Sequence, residues 1–250
     1  MEGVELAARF GSITNNLKYC GPNDFQKIFS DYLADKDKAN SAKLKDAIKK
    51  FEAHYAYLKL IANATGRDPF DYEVCEAFWL GNGLLERVQK ADIQKTLITD
   101  LTGTGKMHIG RSIGLAQSLP DGVRPHHSFH VYYVKFITGK VQWNPVNADH
   151  CRVPFGRIIE IGGRGYKGDE GEIGINNLTV EYDPILLTEK KKFVFGETVT
   201  KSITTGINGM NFVPNAKVGD WVAFHWDVAC KIIDGRERAN LEKYTKSNLF

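Results

Sequence analysis

Near residue 120 the apolar residues change period, from the 3.6-residue repeat of helices to the two-residue repeat of strands, and this constrains the fold more than any other feature. A chain patterned in that way is α+β: a helical part over residues 1–120, then a β-rich part over 121–250 that closes on a helix. No internal repeat or low-complexity tract interrupts it. Between Leu119 and His126 the run Pro120-Asp121-Gly122 reads as a turn rather than a tether.

In the first part, Pro22-Asn23 opens a helix with Phe25, Ile28, Phe29, Tyr32 and Leu33 on one face. A second, longer helix carries Leu44, Ile48, Phe51, Tyr55, Leu58 and Ala62, and Gly66 ends it. Asp68-Pro69 supplies a cap and a first helical residue for a third helix through Trp79. Leu84 to Leu101 adds one or two more. Gly103 to Lys106 reads Gly-Thr-Gly-Lys, but it follows a helix and lacks the second spaced glycine and the Ser/Thr of a phosphate-binding loop.

Phe129–Phe136, rich in Val, Tyr and Phe, reads as the first strand, with Thr138-Gly139 turning into Val141–Trp143. Gly162 to Gly174 is a loop. Further strands are expected at 178–182, 192–195 and 221–226, with Lys190-Lys191-Lys192 at a hairpin tip and a final helix over 236–247.

The chain has 250 residues, 25% of them charged, and a net charge of +3, too small to argue for nucleic acid or an anionic membrane surface. No apolar run reaches the ~18–20 residues that span a bilayer. The opening Met-Glu-Gly-Val-Glu is no signal peptide. Cys20, Cys75, Cys151 and Cys230 show no close spacing, so a cytoplasmic location with reduced thiols is expected.

Two segments carry a resemblance. One begins Cys151-Arg152-Val153-Pro154-Phe155-Gly156-Arg157-Ile158-Ile159. The other runs Val218-Gly219-Asp220-Trp221-Val222-Ala223-Phe224-His225-Trp226-Asp227 and leads to a charged closing helix. Together residues 151–250 resemble the HypC family of [NiFe]-hydrogenase maturation chaperones. That resemblance implies an OB-like small barrel with a C-terminal helix, iron as the bound metal, a partner in the maturation machinery or a hydrogenase subunit, and Cys151 and His225 as the residues that matter. Tyr19-Cys20-Gly21-Pro22, Trp79-Leu80-Gly81-Asn82, the His126–His130 run and His225-Trp226-Asp227 also resemble an uncharacterised bacterial family along nearly the whole chain.

The side chains support a metal independently. Thiolate and imidazole suit iron, copper or zinc. Alternation along 221–228 puts His225 on the face away from Val222, Phe224 and Trp226, beside Asp227, whose carboxylate would orient the imidazole. Two ligands leave a site incomplete, which suits a handover to a client. Cys151, starting the first barrel strand, and His225, in the last, are expected to meet at an exposed barrel mouth.

Other readings stay open. His126, His127 and His130 form the densest ionisable cluster; extended, His126 and His130 share a face, and with Cys151 they would make a metal- or thiol-dependent enzyme. Cys20 stands at a helix start, where a nucleophile is possible, although a packed turn residue explains it as well. A non-metal interaction module would instead use exposed Trp143 and Trp226.

Overall fold

The computed structural model describes residues 1–164, 174, 176–190 and 192–249. The chain is α+β, with a helical N-terminal part, then a β-rich region holding a closed five-stranded barrel, and a last helix. Its contacts gather into two compact units. One is Met1–Trp143 with Lys243–Asn248; the other is Asn144–Glu242. The helical unit thus runs past the change of texture near residue 120.

That unit begins with α1 (Gly3–Asn16), a helix not expected from the sequence, in which nearly every residue from Gly3 to Asn15 is buried. Helix α2 (Phe25–Ala34) buries Phe25, Phe29 and Tyr32 as its stripe requires. The long second helix is instead two, α3 (Lys38–Ile48) and α4 (His54–Thr65). The break falls at 49–53, where the Phe51 ring packs edge-on against Phe25 and Glu52 accepts the Gly21 N–H at 3.1 Å. Gly66 ends α4 in the left-handed conformation, φ +69°.

Helix α5 (Tyr72–Trp79) starts three residues beyond Pro69. The Asp68 carboxylate accepts the Phe70 N–H at 2.8 Å, so Asp68-Pro69 builds a turn before the helix rather than its cap. A 3-10 turn over Gly83–Arg87 and α6 (Lys90–Gly103) follow. The Gly-Thr-Gly-Lys run ends α6, with the Gly105 N–H donating to the Thr102 carbonyl at 2.9 Å and Gly105 at φ +69°. Helix α7 (Ile109–Ser118) is capped by His108, whose Nδ1 accepts the Gly110 N–H.

Phe129–Phe136 is not a strand. It forms α8 (His127–Phe129) and a π turn over His130–Val134, and no strand occupies 138–143. Burial of Phe129, Val131, Tyr132 and Val134 in the helical unit outweighs the strand preference of their side chains.

The second unit opens with α9 (Pro145–Cys151). Its strands are β1 (Phe155–Arg164), β2 (Asn176–Tyr182), β3 (Ile185–Leu187), β4 (Phe193–Phe195), β5 (Val199–Thr204), β6 (Gly206–Ile207), β7 (Met210–Asn211), β8 (Trp221–His225) and β9 (Val228–Ile233). The barrel order is β1-β2-β5-β9-β8, closed by β8 against β1. All neighbours are antiparallel except β5 and β9, and the connectivity is OB-like. Ile158, Leu178, Val180, Ile203, Val222 and Phe224 fill it. Gly156 pairs with Tyr182 on one side and Val222 on the other.

Strands β3 and β4 form a separate hairpin with Lys190 and Lys192 near its tip. Lys191 lies outside the described residues, as does 165–173 of the expected Gly162–Gly174 loop; Gly162 itself belongs to β1. Helix α10 (Gly235–Ser247) closes the chain, with Asp234 accepting the Glu237 N–H at 2.7 Å. Among the described residues no helix is long and apolar enough to cross a membrane.

Candidate functional site

Cys151 does not start a strand; it is the last residue of α9. Asn144-Pro145 is the signal that places it there. Asn144 accepts the Asn147 N–H at 2.8 Å, and Pro145 fills the first helical position, where no N–H is needed. After the helix, Val153 takes φ +66°. A β-branched residue pays on the order of 1–2 kcal/mol for that conformation. Pro154 then accepts the Phe224 N–H at 2.9 Å, seating the end of α9 beside β8.

His225 is the last residue of β8 and pairs with Val228 across the turn to β9. The ligand atoms of Cys151 and His225 lie within 4.8 Å of each other. A tetrahedral metal bonding both at ~2.3 Å to sulfur and ~2.05 Å to nitrogen would set them about 3.6 Å apart. That separation lies inside the 4.8 Å ceiling. The expectation of an exposed mouth fails, since Cys151 is 5% exposed and His225 0%.

Asp227 also departs from expectation. Alternation stops at His225, because Trp226 (φ +47°) and Asp227 (φ +62°) both turn into the left-handed region. They are the two central residues of a tight hairpin turn of the type that normally recruits Asn and Gly. Asp227 therefore does not orient His225. Its carboxylate meets Lys201 Nζ at 2.6 Å and His150 Nδ1 at 3.3 Å, while Lys201 Nζ lies 3.4 Å from His150 Nε2. An ammonium only donates, so Nε2 accepts and the proton of a neutral His150 sits on Nδ1, facing the carboxylate. Burial, reinforced by the Lys201 charge and opposed by Asp227, holds the His150 imidazole below its ordinary pKa. The Trp226 N–H donates to the His150 carbonyl at 2.9 Å, and the two rings lie 5.5 Å apart.

In sequence His150 is a histidine that only tertiary contact could bring to a site, and nothing there marks Lys201. Nearby, buried Arg152 holds Asp149 through Nε at 2.8 Å, and Asp149 also accepts the Tyr182 hydroxyl and the Ile185 N–H.

The histidine run belongs to the helical unit and is not extended. His126 Nε2 faces the Trp79 carbonyl at 3.2 Å and Nδ1 the Ser128 hydroxyl at 2.9 Å, so both ring nitrogens have partners. Burial lowers its pKa to about 3. His130 Nδ1 meets the Tyr57 hydroxyl at 3.3 Å, and burial, with Arg111, lowers its pKa to about 4. The His127 ring packs 4.4 Å from that of Trp79 and 5.3 Å from Phe78.

Cys20 stands half-buried before the turn into α2. Burial pushes its thiol up to about 12; the S–H donates to Thr14 Oγ1 at 2.9 Å, and Asn15 holds its carbonyl, fixing the turn into α2. None of the four cysteines forms a disulfide. Trp143 and Trp226 are half-buried rather than exposed; Trp143 donates to the Val131 carbonyl at 2.9 Å.

No curated protein and no solved structure matches the chain. The chain matches a family of unknown function, DUF6390, over residues 1–250, and belongs to that family.

Proposed function

We propose that the barrel unit binds a metal ion through Cys151 and His225, and that the protein is an accessory factor in the assembly of a metallocentre. Its most specific form is delivery of iron, or an iron precursor, to a [NiFe]-hydrogenase, with a protein of the maturation machinery or the hydrogenase subunit as partner. One observation carries the reading: a buried thiol and a buried imidazole, 74 positions apart in sequence (225 − 151), whose ligand atoms stand within 4.8 Å. Soft sulfur beside a borderline nitrogen selects iron, zinc or copper over hard cations. Two donors, one from α9 and one from the barrel strand β8, leave coordination positions for a cargo's own ligands or a client's side chains. The HypC resemblance of residues 151–250 points the same way.

The test is anaerobic titration of the full chain with Fe(II), and with Co(II) as a spectroscopic stand-in. Wild type is expected to take up metal with a thiolate-to-metal charge-transfer band; Cys151→Ala is expected to lose the band and His225→Ala most of the affinity. Chain purified from its native host is expected to carry infrared bands of CO and cyanide if the cargo is a hydrogenase iron. Wild type that binds neither metal sinks the proposal. The enzyme alternative, in which the histidine run acts with Cys151, gains if His127→Ala removes metal as fully as Cys151→Ala.

A further inference from the structure

The geometry points to Lys201, His150 and Asp227 as a positioning clamp that sets the reach of His225 toward Cys151. This rests on the metal reading above and assigns it a control element. Three parts of the barrel unit meet in the clamp: His150 from α9, Lys201 from β5 and Asp227 from the β8–β9 turn. His150 precedes Cys151 directly, and Asp227 follows His225 by two residues, so each arm of the clamp is attached to one of the two paired residues.

The turn between them runs through two non-glycine residues with positive φ, a conformation that persists only where surrounding contacts impose it. The contacts are on hand. Lys201 Nζ and His150 Nδ1 take the two carboxylate oxygens of Asp227, the Trp226 N–H donates to the His150 carbonyl, and the Thr204 N–H donates to the Asp227 carbonyl at 3.0 Å. One hydrogen bond, from the Trp226 N–H, and one contact, of Asp227 with His150 Nδ1, tie the turn to α9 itself. A hairpin with Asn-Gly at the same place would turn without strain, yet nothing would fix its distance from the helix that carries Cys151. Trp226-Asp227 gives up that ease and gains the tie.

The clamp touches no metal-binding atom, so its signature is affinity lost without loss of fold. Lys201→Gln removes the ammonium and leaves the turn residues intact. Asp227→Gly removes the carboxylate and relaxes the backbone. Partners that orient metal ligands typically change affinity by roughly 10–100-fold when removed. Both variants of the full chain are therefore expected to bind Co(II) alone about tenfold or more weakly, with an altered charge-transfer band. Their urea unfolding should remain cooperative, and Asp227→Gly should be no less stable than wild type. Lys201→Arg, which keeps the charge, should bind close to wild type. If both clamp variants bind Co(II) with wild-type affinity and spectrum, the clamp is purely structural and the inference is overturned while the metal reading stands. If wild type itself takes up no Co(II), the metal reading falls and the inference with it.

Discussion

Because His126 engages both ring nitrogens inside the helical unit, acid reaches it mainly through the unfolded chain. Its imidazole and that of His130 titrate near 6.5 when unfolded and near 3 and 4 when folded. Below pH 6.5 the unfolded state therefore binds protons that the native state refuses. The stability is fully present above 6.5 and is lost as pH falls toward 4 and 3. Each histidine contributes up to about 1.4 kcal/mol of loss per pH unit in that window. His130→Gln should flatten this dependence, and urea midpoints of variant and wild type at pH 7 and pH 5 measure it. Equal slopes in the two proteins would show that His130 protonates without unfolding. Such burial also explains why a dense histidine run need not be a ligand set; buried His126 and half-buried His130 both have hydrogen-bond partners.

At the scale of single elements, Gly156 marks where β1 serves both neighbouring strands. A Cβ there would stand 2.6 Å from the Glu181 carbonyl oxygen and about 3.1 Å from Tyr182 Cβ, and backbone cannot swing aside as a side chain can. Gly156→Ala is expected to cost roughly 1–3 kcal/mol, the range for overpacking, read by chemical denaturation. The periodic elements were the legible ones. The α2 stripe, the left-handed end of α4 and the strands around 178–182 and 221–225 follow from spacing and turn residues. Helix α9 escaped because seven residues show barely two turns of period and its signal is the short Asn144-Pro145 cap. The segment Phe129–Val134 misled because β-branched and aromatic residues also suit a buried helical turn. Legibility of the site divides in the same way. Cys151 and His225 stand in recognisable local strings, whereas the Asp227 partners come from α9 and β5, and no alternation rule foresees a strand that ends one residue early.

Across the whole molecule, the helical unit is completed by residues from the far end of the chain. Asn248 accepts the Arg124 N–H and donates to the Arg124 carbonyl and the Ser128 hydroxyl. Tyr244, 1% exposed, packs so closely over Gly81 that a Cβ there would come within 2.3 Å of its ring, and its hydroxyl donates to Glu86. Tyr244→Ala should cost on the order of 3–5 kcal/mol, as for other large buried aromatics. Ending the chain at Glu242 should cost more. Hydrogen exchange at the amides of 126–129 is expected to accelerate in both variants; unchanged protection there would remove the C-terminal segment from the helical unit.

Helix α10 begins with the barrel unit and ends with the helical one. That path sets an order on biosynthesis. Domains of most chains fold as they emerge from the ribosome, the N-terminal one first. Here the first 143 residues leave the exit tunnel well before Tyr244 and Asn248 exist, so they wait, with the surface around Gly81 and Ser128 uncovered, until translation has passed the barrel. The N-terminal unit is the first to be made and the last to be finished, and a ribosome stalled anywhere in the barrel would hold out an incomplete helical bundle for chaperones to bind.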